Sequence, residues 1–215
     1  MSAPPESLYR PYNERLVAAL GLDWFDIART YAETGGTPGI YPDVALLLER
    51  LVAREDVCSI AEIGSGVSTL YLAAAAEKYG KRFVSIEEDV SWMYRVHYLL
   101  DKYGFGLTEI DHYDARAPLP KCDAVFLDST AELRRHLLVQ EVAYLWDRPW
   151  ILLDDYNFLT FAKPADAFQR AAGRSSVIYQ PVHERADRVV LISTPTYSGP
   201  GWPGDVEGWL KGWLP

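Results

Sequence analysis

Short β-rich runs alternate with amphipathic stretches along most of this chain. The runs are VCSIAEI (57–63), RFVSIE (82–87), LTEIDHY (107–113), CDAVFLD (122–128), WILLD (150–154), SSVIYQPV (175–182) and RVVLIS (188–193). Between the first five, apolar positions recur with helical spacing at 67–79, 89–103 and 131–146. Strand and helix in alternation predict a parallel sheet covered on both faces. Only HERAD (183–187) separates the last two runs, which is too short for a crossover helix. Those two are expected to pair as an antiparallel hairpin at one edge, giving an α/β fold with seven strands.

The ends of the chain read differently. Two short helices, Glu6 to Leu20 and Asp23 to Glu33, are broken at Gly21 and again by GGTPGIYP, and they look like a cap added to the core. A third helix begins at Pro42–Asp43, with proline and a carboxylate where a helix start favours them. It places Leu46, Leu47, Leu51 and Val52 on one apolar stripe. After Thr194, the residues Val206, Trp209, Leu210, Trp213 and Leu214 follow helical spacing in an otherwise Gly- and Pro-rich tail. The expected plan is an N-terminal helical cap or lid at 1–41, a core at 42–194 and a C-terminal tail at 195–215.

Composition narrows the function classes. With 215 residues, 49% of them hydrophobic, the chain can build one sizeable core. Its 21 basic against 30 acidic residues give a net charge of −9, which argues against nucleic acid or an anionic membrane as partner. MSAPPESLYR has no apolar core of the kind a secretory signal needs, and no run approaches eighteen apolar residues, so a cytoplasmic location is expected. Cys58 and Cys122 lie in apolar runs without metal-type spacing and are read as reduced core thiols.

The sharpest chemical feature is AEIGSGVSTLYLA at 61–73. A strand ends at Ile63, Gly64 and Gly66 allow a tight turn with close backbone approach, and a helix starts near Val67. The free N–H groups of that helix can hold a carboxylate or phosphate. A dinucleotide fingerprint wants glycine where Thr69 stands, and no Lys–Ser/Thr ending cradles a triphosphate, so NAD and ATP both lose ground. Glu62 precedes the first glycine, and Glu87 at the next strand end is placed to accept hydrogen bonds from two ribose hydroxyls.

On these residues, positions 57–193 resemble the class I S-adenosylmethionine-dependent methyltransferases, specifically the small-molecule O-methyltransferases. The resemblance implies a Rossmann-like seven-stranded methyltransferase sheet. Glu62-Ile63-Gly64-Ser65-Gly66 would be the cofactor loop, and Glu87, with Glu88 beside it, the ribose acid. Ser68 and Thr69 match a Ser or Thr near the methionine carboxylate, and Asp114–Ala115 takes the place of the pair bordering adenine. The implied cofactor is S-adenosyl-L-methionine and the implied partner a small-molecule substrate, with a homodimer left open.

Two acidic clusters stand at expected strand ends. They are Asp128, after DAVFL, and Asp154-Asp155-Tyr156-Asn157. In metal-dependent relatives such acids hold Mg²⁺, which lowers the pKa of an attacking hydroxyl. Asp128, Asp155, Tyr156 and Asn157 are therefore the candidate catalytic residues, and Asp128 emerges beside the cofactor loop as well. The subgroup's histidine soon after the first Asp is replaced here by Ser129-Thr130-Ala131-Glu132, so a general base has no obvious owner. His97, His112 and His183 read as structural.

The aromatic cap, with Tyr9, Tyr12, Trp24, Phe25, Tyr31 and Tyr41, either covers one sheet face or closes as a lid over the substrate. In the second reading Tyr9, Tyr12 and Tyr41 contact substrate. The expected activity is O- or N-methylation of a small molecule, and methyl transfer needs mainly proximity and alignment. The alternative keeps the cofactor and attacks another carbon of the sulfonium. That reading is a cyclase or alkyl transferase, azetidine-2-carboxylate synthase-like or aminopropyl transferase-like, releasing methylthioadenosine. A non-catalytic cofactor-binding module is a third reading, disfavoured by the intact Gly64, Gly66 and Glu87.

Overall fold

The computed structural model describes residues 6–36, 38–113, 119–128, 150–154, 174–179 and 190–195. Two compact units divide at Pro118, Met1–Pro118 and Leu119–Pro215.

In the first unit three helices precede the sheet: α1 (Glu6–Leu20), α2 (Trp24–Glu33) and α3 (Pro42–Val52). Asp23 caps α2 by accepting from the N–H groups of Phe25 and Asp26, and Pro42 opens α3 where its missing N–H costs nothing. The alternation of β1 (Ser59–Ile63), α4 (Val67–Tyr79), β2 (Arg82–Glu87), α5 (Val90–Lys102) and β3 (Ile110–His112) follows. These strands lie in the order β3-β2-β1, and both pairings are parallel. Ile63 stands beside Ile86, and Glu87 beside His112.

All five residues of β1 are buried, as is the first part of α4 from Val67 to Ala76. Such an element has no polar face to reveal its orientation in the sequence. α1 lies against α3 and α4, and α2 against α4 and α5. Their inward side chains, Tyr9, Leu16, Ile27 and Tyr31, are all 1% exposed or less, so the two cap helices belong to the core of this unit.

The second unit carries β4 (Ala124–Leu127), β5 (Trp150–Leu153), β6 (Arg174–Tyr179) and β7 (Val190–Pro195). β4 and β5 are parallel, with Leu127 beside Leu153, and every residue of both is buried. β7 runs antiparallel to β5 and to β6, with Leu152 beside Ile192 and Val177 beside the same Ile192. The expected helix at 131–146 and the tail after Pro195 lie outside the described residues.

Two sequence readings are corrected. Pairing in β1 begins at Ser59, opposite Arg82, so Cys58 falls before the strand and is exposed; Cys122 is buried as expected, and the two are not joined in a disulfide. The run 107–113 yields only a three-residue strand, because Leu107 is 99% exposed in the turn after α5. Among the described residues no helix is long and apolar enough to cross a membrane.

Candidate functional site

The loop between β1 and α4 is built by hydrogen bonds that use nearly every polar atom it has. Gly64 takes φ +96°, a conformation open to glycine, and its N–H continues the β1–β2 ladder to Ile86 O at 2.8 Å. Ser65 then points both its donors at one oxygen. Its N–H reaches Glu87 Oε2 at 2.7 Å and its hydroxyl the same atom at 3.1 Å. The other oxygen, Oε1, accepts the N–H groups of Glu88 and Asp89 at 2.8 and 2.9 Å. A carboxylate offers about four lone-pair sites. All four at Glu87 are met by this chain, and the group is only 7% exposed. A ligand hydroxyl reaching Glu87 must therefore displace the Ser65 hydroxyl, the longest of the four contacts.

Gly66 is the N-cap of α4, with an extended φ that any residue adopts. An added Cβ there would meet only Ser68 Oγ, at an ordinary 3.7 Å. Neither backbone strain nor an internal contact demands glycine at this position.

Glu62 and Thr69 are turned inward. Thr69 Oγ1 accepts the Gly66 N–H at 2.8 Å and donates to Glu62 Oε2 at 2.7 Å. The Ser85 hydroxyl donates to that same oxygen at 2.7 Å. Glu62 is fully buried, and among the described residues its Oε1 has no hydrogen-bond partner. Burial pushes its carboxyl up to about 7, against the opposing pull of the Ser68, Thr69 and Ser85 hydroxyls, with the nearby Glu87 charge adding to the rise. Ser68 is 2% exposed.

Trp92, which sequence reasoning missed, and Tyr31, read there only as one of the cap aromatics, complete the surroundings. Trp92, in the first turn of α5, donates its indole N–H to Ser65 O at 2.6 Å. Tyr31, from α2, meets the Trp92 ring edge-on with centroids 6.0 Å apart, and its hydroxyl is buried without a hydrogen-bond partner among the described residues. Burial raises the Tyr31 phenol well above its usual range, and the Glu87 and Glu62 charges push the same way. No local pattern marks these contacts, which span 27 positions from Ser65 to Trp92 and 61 from Tyr31 to Trp92.

The cap tyrosines are spent largely on one another. Tyr9 stacks on Tyr41 at 5.2 Å and lies 6.3 Å from Trp24, and the Trp24 indole donates to Ile40 O at 3.0 Å. Tyr9 and Tyr12 are buried, while Tyr41 is half-buried.

In the second unit Asp128 is half-buried at the end of β4 and Asp154 is 4% exposed at the end of β5. The Asp154 N–H bonds Leu127 O at 3.1 Å, which holds these two strand ends together. Asp114, Ala115, Asp155, Tyr156 and Asn157 lie outside the described residues. Among those described, no group of three or more His, Cys, Asp or Glu side chains is placed to hold a metal ion.

No family model and no curated protein matches the chain. Solved structures do. The O-methyltransferase TomG from Streptomyces achromogenes, involved in tomaymycin synthesis and solved with SAM, aligns with a TM-score of 0.61 at 18% identity over 87% of this chain and 98% of its own. An O-methyltransferase from Bacillus cereus solved with SAH gives 0.65 at 14% identity, covering 88% of this chain and 99% of its own. Cofactor-bound Rv0187 from MTB gives 0.64 at 17% identity, covering 90% and 98%. On this likeness the chain has the α/β Rossmann-like fold of the class I S-adenosylmethionine-dependent methyltransferases.

Proposed function

We propose that this protein is an S-adenosylmethionine-dependent O-methyltransferase acting on a small molecule. The observation that carries the reading is the loop itself: a strand-end acid, Glu87, fastened to a glycine loop whose Gly66 has no internal reason to be glycine. Two solved O-methyltransferases of the same fold, one with SAM and one with SAH bound, lend support.

When bound, the cofactor would supply an electrophilic methyl group on a sulfonium. Glu87 would accept the ribose hydroxyls once the Ser65 hydroxyl swings away, with Glu88 beside it. Gly64, Ser65 and Gly66 would lie under the cofactor, and Ser68 with the N-terminus of α4 would face the methionine carboxylate. Glu62 and Thr69 would act from beneath, by holding the loop. Asp114–Ala115 would border adenine.

Asp128, Asp155, Tyr156 and Asn157 are the groups proposed to orient the acceptor and take its proton. Magnesium is a further candidate there. Of the three cap tyrosines expected to meet substrate, half-buried Tyr41 is the one proposed to do so, because Tyr9 and Tyr12 are buried in the packed cap. In-line attack needs the acceptor held close and aligned, and aligned groups of this kind contribute most of the effect.

The cyclase or alkyl-transferase alternative draws no support from the structural neighbours. Incubation with S-adenosylmethionine, with and without a panel of phenols and hydroxylated small molecules, followed by mass analysis, separates the two. S-adenosylhomocysteine formed only with an acceptor is the expected result. Methylthioadenosine formed without any acceptor would overturn it.

A further inference from the structure

We infer that Trp92 and Thr69 are positioning residues which together lock the Ser65–Gly66 peptide in one orientation, and that Tyr31 of the cap keeps Trp92 in place to do so. The significance of that lock rests on the reading of residues 64–66 as the cofactor loop.

The peptide joining Ser65 to Gly66 has one acceptor and one donor. Its carbonyl accepts the Trp92 indole N–H at 2.6 Å, and its N–H donates to Thr69 Oγ1 at 2.8 Å. Both ends of one peptide plane are thus held by side chains from different helices. Rotating that plane requires a change at Ser65 ψ and Gly66 φ, and glycine, lacking a Cβ, offers little resistance. Sterics do not fix the plane, so the two hydrogen bonds must. A flip would exchange the directions of the carbonyl and the N–H in the loop that meets the ligand.

Each pin is itself braced. Thr69 is oriented by donating to Glu62. The indole of Trp92 is bounded by the Tyr31 ring edge-on at 6.0 Å and by the Arg95 guanidinium 5.2 Å from its centroid. Tyr31 fits because residue 36 is glycine. A Cβ there would stand 2.6 Å from Tyr31 Cε1. The cap thus bears on loop geometry through a ring contact with Trp92.

The test uses Trp92→Phe, which keeps a ring and removes the N–H, with Thr69→Val, Thr69→Ser and the Trp92→Phe/Thr69→Val pair, all in the full chain. Exchange of the Gly66 amide, followed by NMR on the unliganded protein, should quicken about tenfold in Trp92→Phe, although Trp92 touches the opposite end of that peptide. S-adenosylhomocysteine affinity by calorimetry should fall about tenfold in Trp92→Phe and in Thr69→Val, and stay near wild type in Thr69→Ser. The double variant should lose little more than either single one, because one released pin already frees the plane.

Unchanged Gly66 exchange in Trp92→Phe, or losses of affinity that multiply in the double variant, would overturn the inference. A wild-type chain that binds no S-adenosylhomocysteine would instead remove the functional reading, and the exchange measurement would still decide the lock.

Discussion

Thr69 donates its hydroxyl to Glu62 across 2.7 Å, so the acid of the glycine-loop motif grips the start of α4 from below. The glycine it steadies is one covalent step from Ser65, which in turn grips Glu87. The two acids of the site therefore act on opposite ends of a three-residue loop, one from a fully buried position and one from the edge.

Burial of Glu62 has a pH consequence. Its carboxyl is raised from an ordinary 4.5 to about 7, so the folded state prefers it protonated. The stability it contributes is whole below pH 4.5 and is lost as pH rises through 7. Glu62→Gln, which stays neutral and keeps an acceptor for Thr69 and Ser85, should not show this loss. Denaturant melts at pH 5 and pH 8 are expected to show the wild type losing up to about 3 kcal/mol relative to the variant across that interval. Parallel pH dependence in the two proteins would show that Glu62 is charged throughout.

Glu87→Ala should do two things at once. It removes the proposed ribose acceptor, weakening S-adenosylhomocysteine binding by roughly 1.5–3 kcal/mol in calorimetry, the scale for hydrogen bonds to a charged group. It also strands the N–H groups of Ser65, Glu88 and Asp89 that the carboxylate now satisfies, so the thermal midpoint should drop as well. Undiminished affinity would leave Glu87 as a loop brace alone.

Chelation tests the acids of the second unit. If Asp128 and Asp154 hold magnesium together with Asp155, turnover should vanish in chelator and return with added Mg²⁺. Full turnover in chelator would leave these carboxylates to position the acceptor or move its proton.

Much of this was legible in the chain because it is local. The boundaries of α1, α3 and α4 follow from Pro42, Gly21 and Gly80 and from apolar spacing, and the loop from two glycines between a strand and a helix. Glu87 was found by its distance from Gly66. The orientation of Glu62 was not legible, because both faces of β1 are buried and the strand shows no polar alternation to say which way a side chain points. Trp92, and the contact that Tyr31 of the cap makes with it, escaped for a different reason. Their importance lies in contacts between elements far apart in sequence, which neither composition nor periodicity encodes. Cys58 was misplaced because VCSI reads as one apolar run, while sheet pairing starts only at Ser59.

Gly36→Ala probes the brace behind Trp92. The added methyl would stand 2.6 Å from Tyr31 Cε1, and Tyr31 has no exposed surface into which to retreat. A cost of about 1–3 kcal/mol is expected in denaturant melts. Tyr31→Leu should relieve the clash, so Gly36→Ala ought to cost measurably less in that background. Equal costs in both backgrounds would show that the strain lies elsewhere.

The cap can be tested by removing it. α1 contributes Tyr9, Tyr12 and Leu16, which are 1%, 7% and 0% exposed, and Lys78 of α4 donates to Ala19 O at 2.6 Å. Burying a large apolar side chain is worth about 1.5–3 kcal/mol. Three of them approach the whole net stability of a typical domain, about 5–15 kcal/mol. Loss of α1 would also uncover the side of α3 that packs against it. Deleting residues 1–20 should therefore abolish the cooperative thermal transition and the native circular dichroism, not merely turnover. For the same reason, cleavage near Gly35 to Gly39 should proceed at similar rates with and without S-adenosylhomocysteine. A truncated chain that still melts cooperatively and binds the ligand, or a ligand that strongly suppresses cleavage there, would mark the segment as a detachable lid, and Tyr9 and Tyr12 would become available to substrate when it opens.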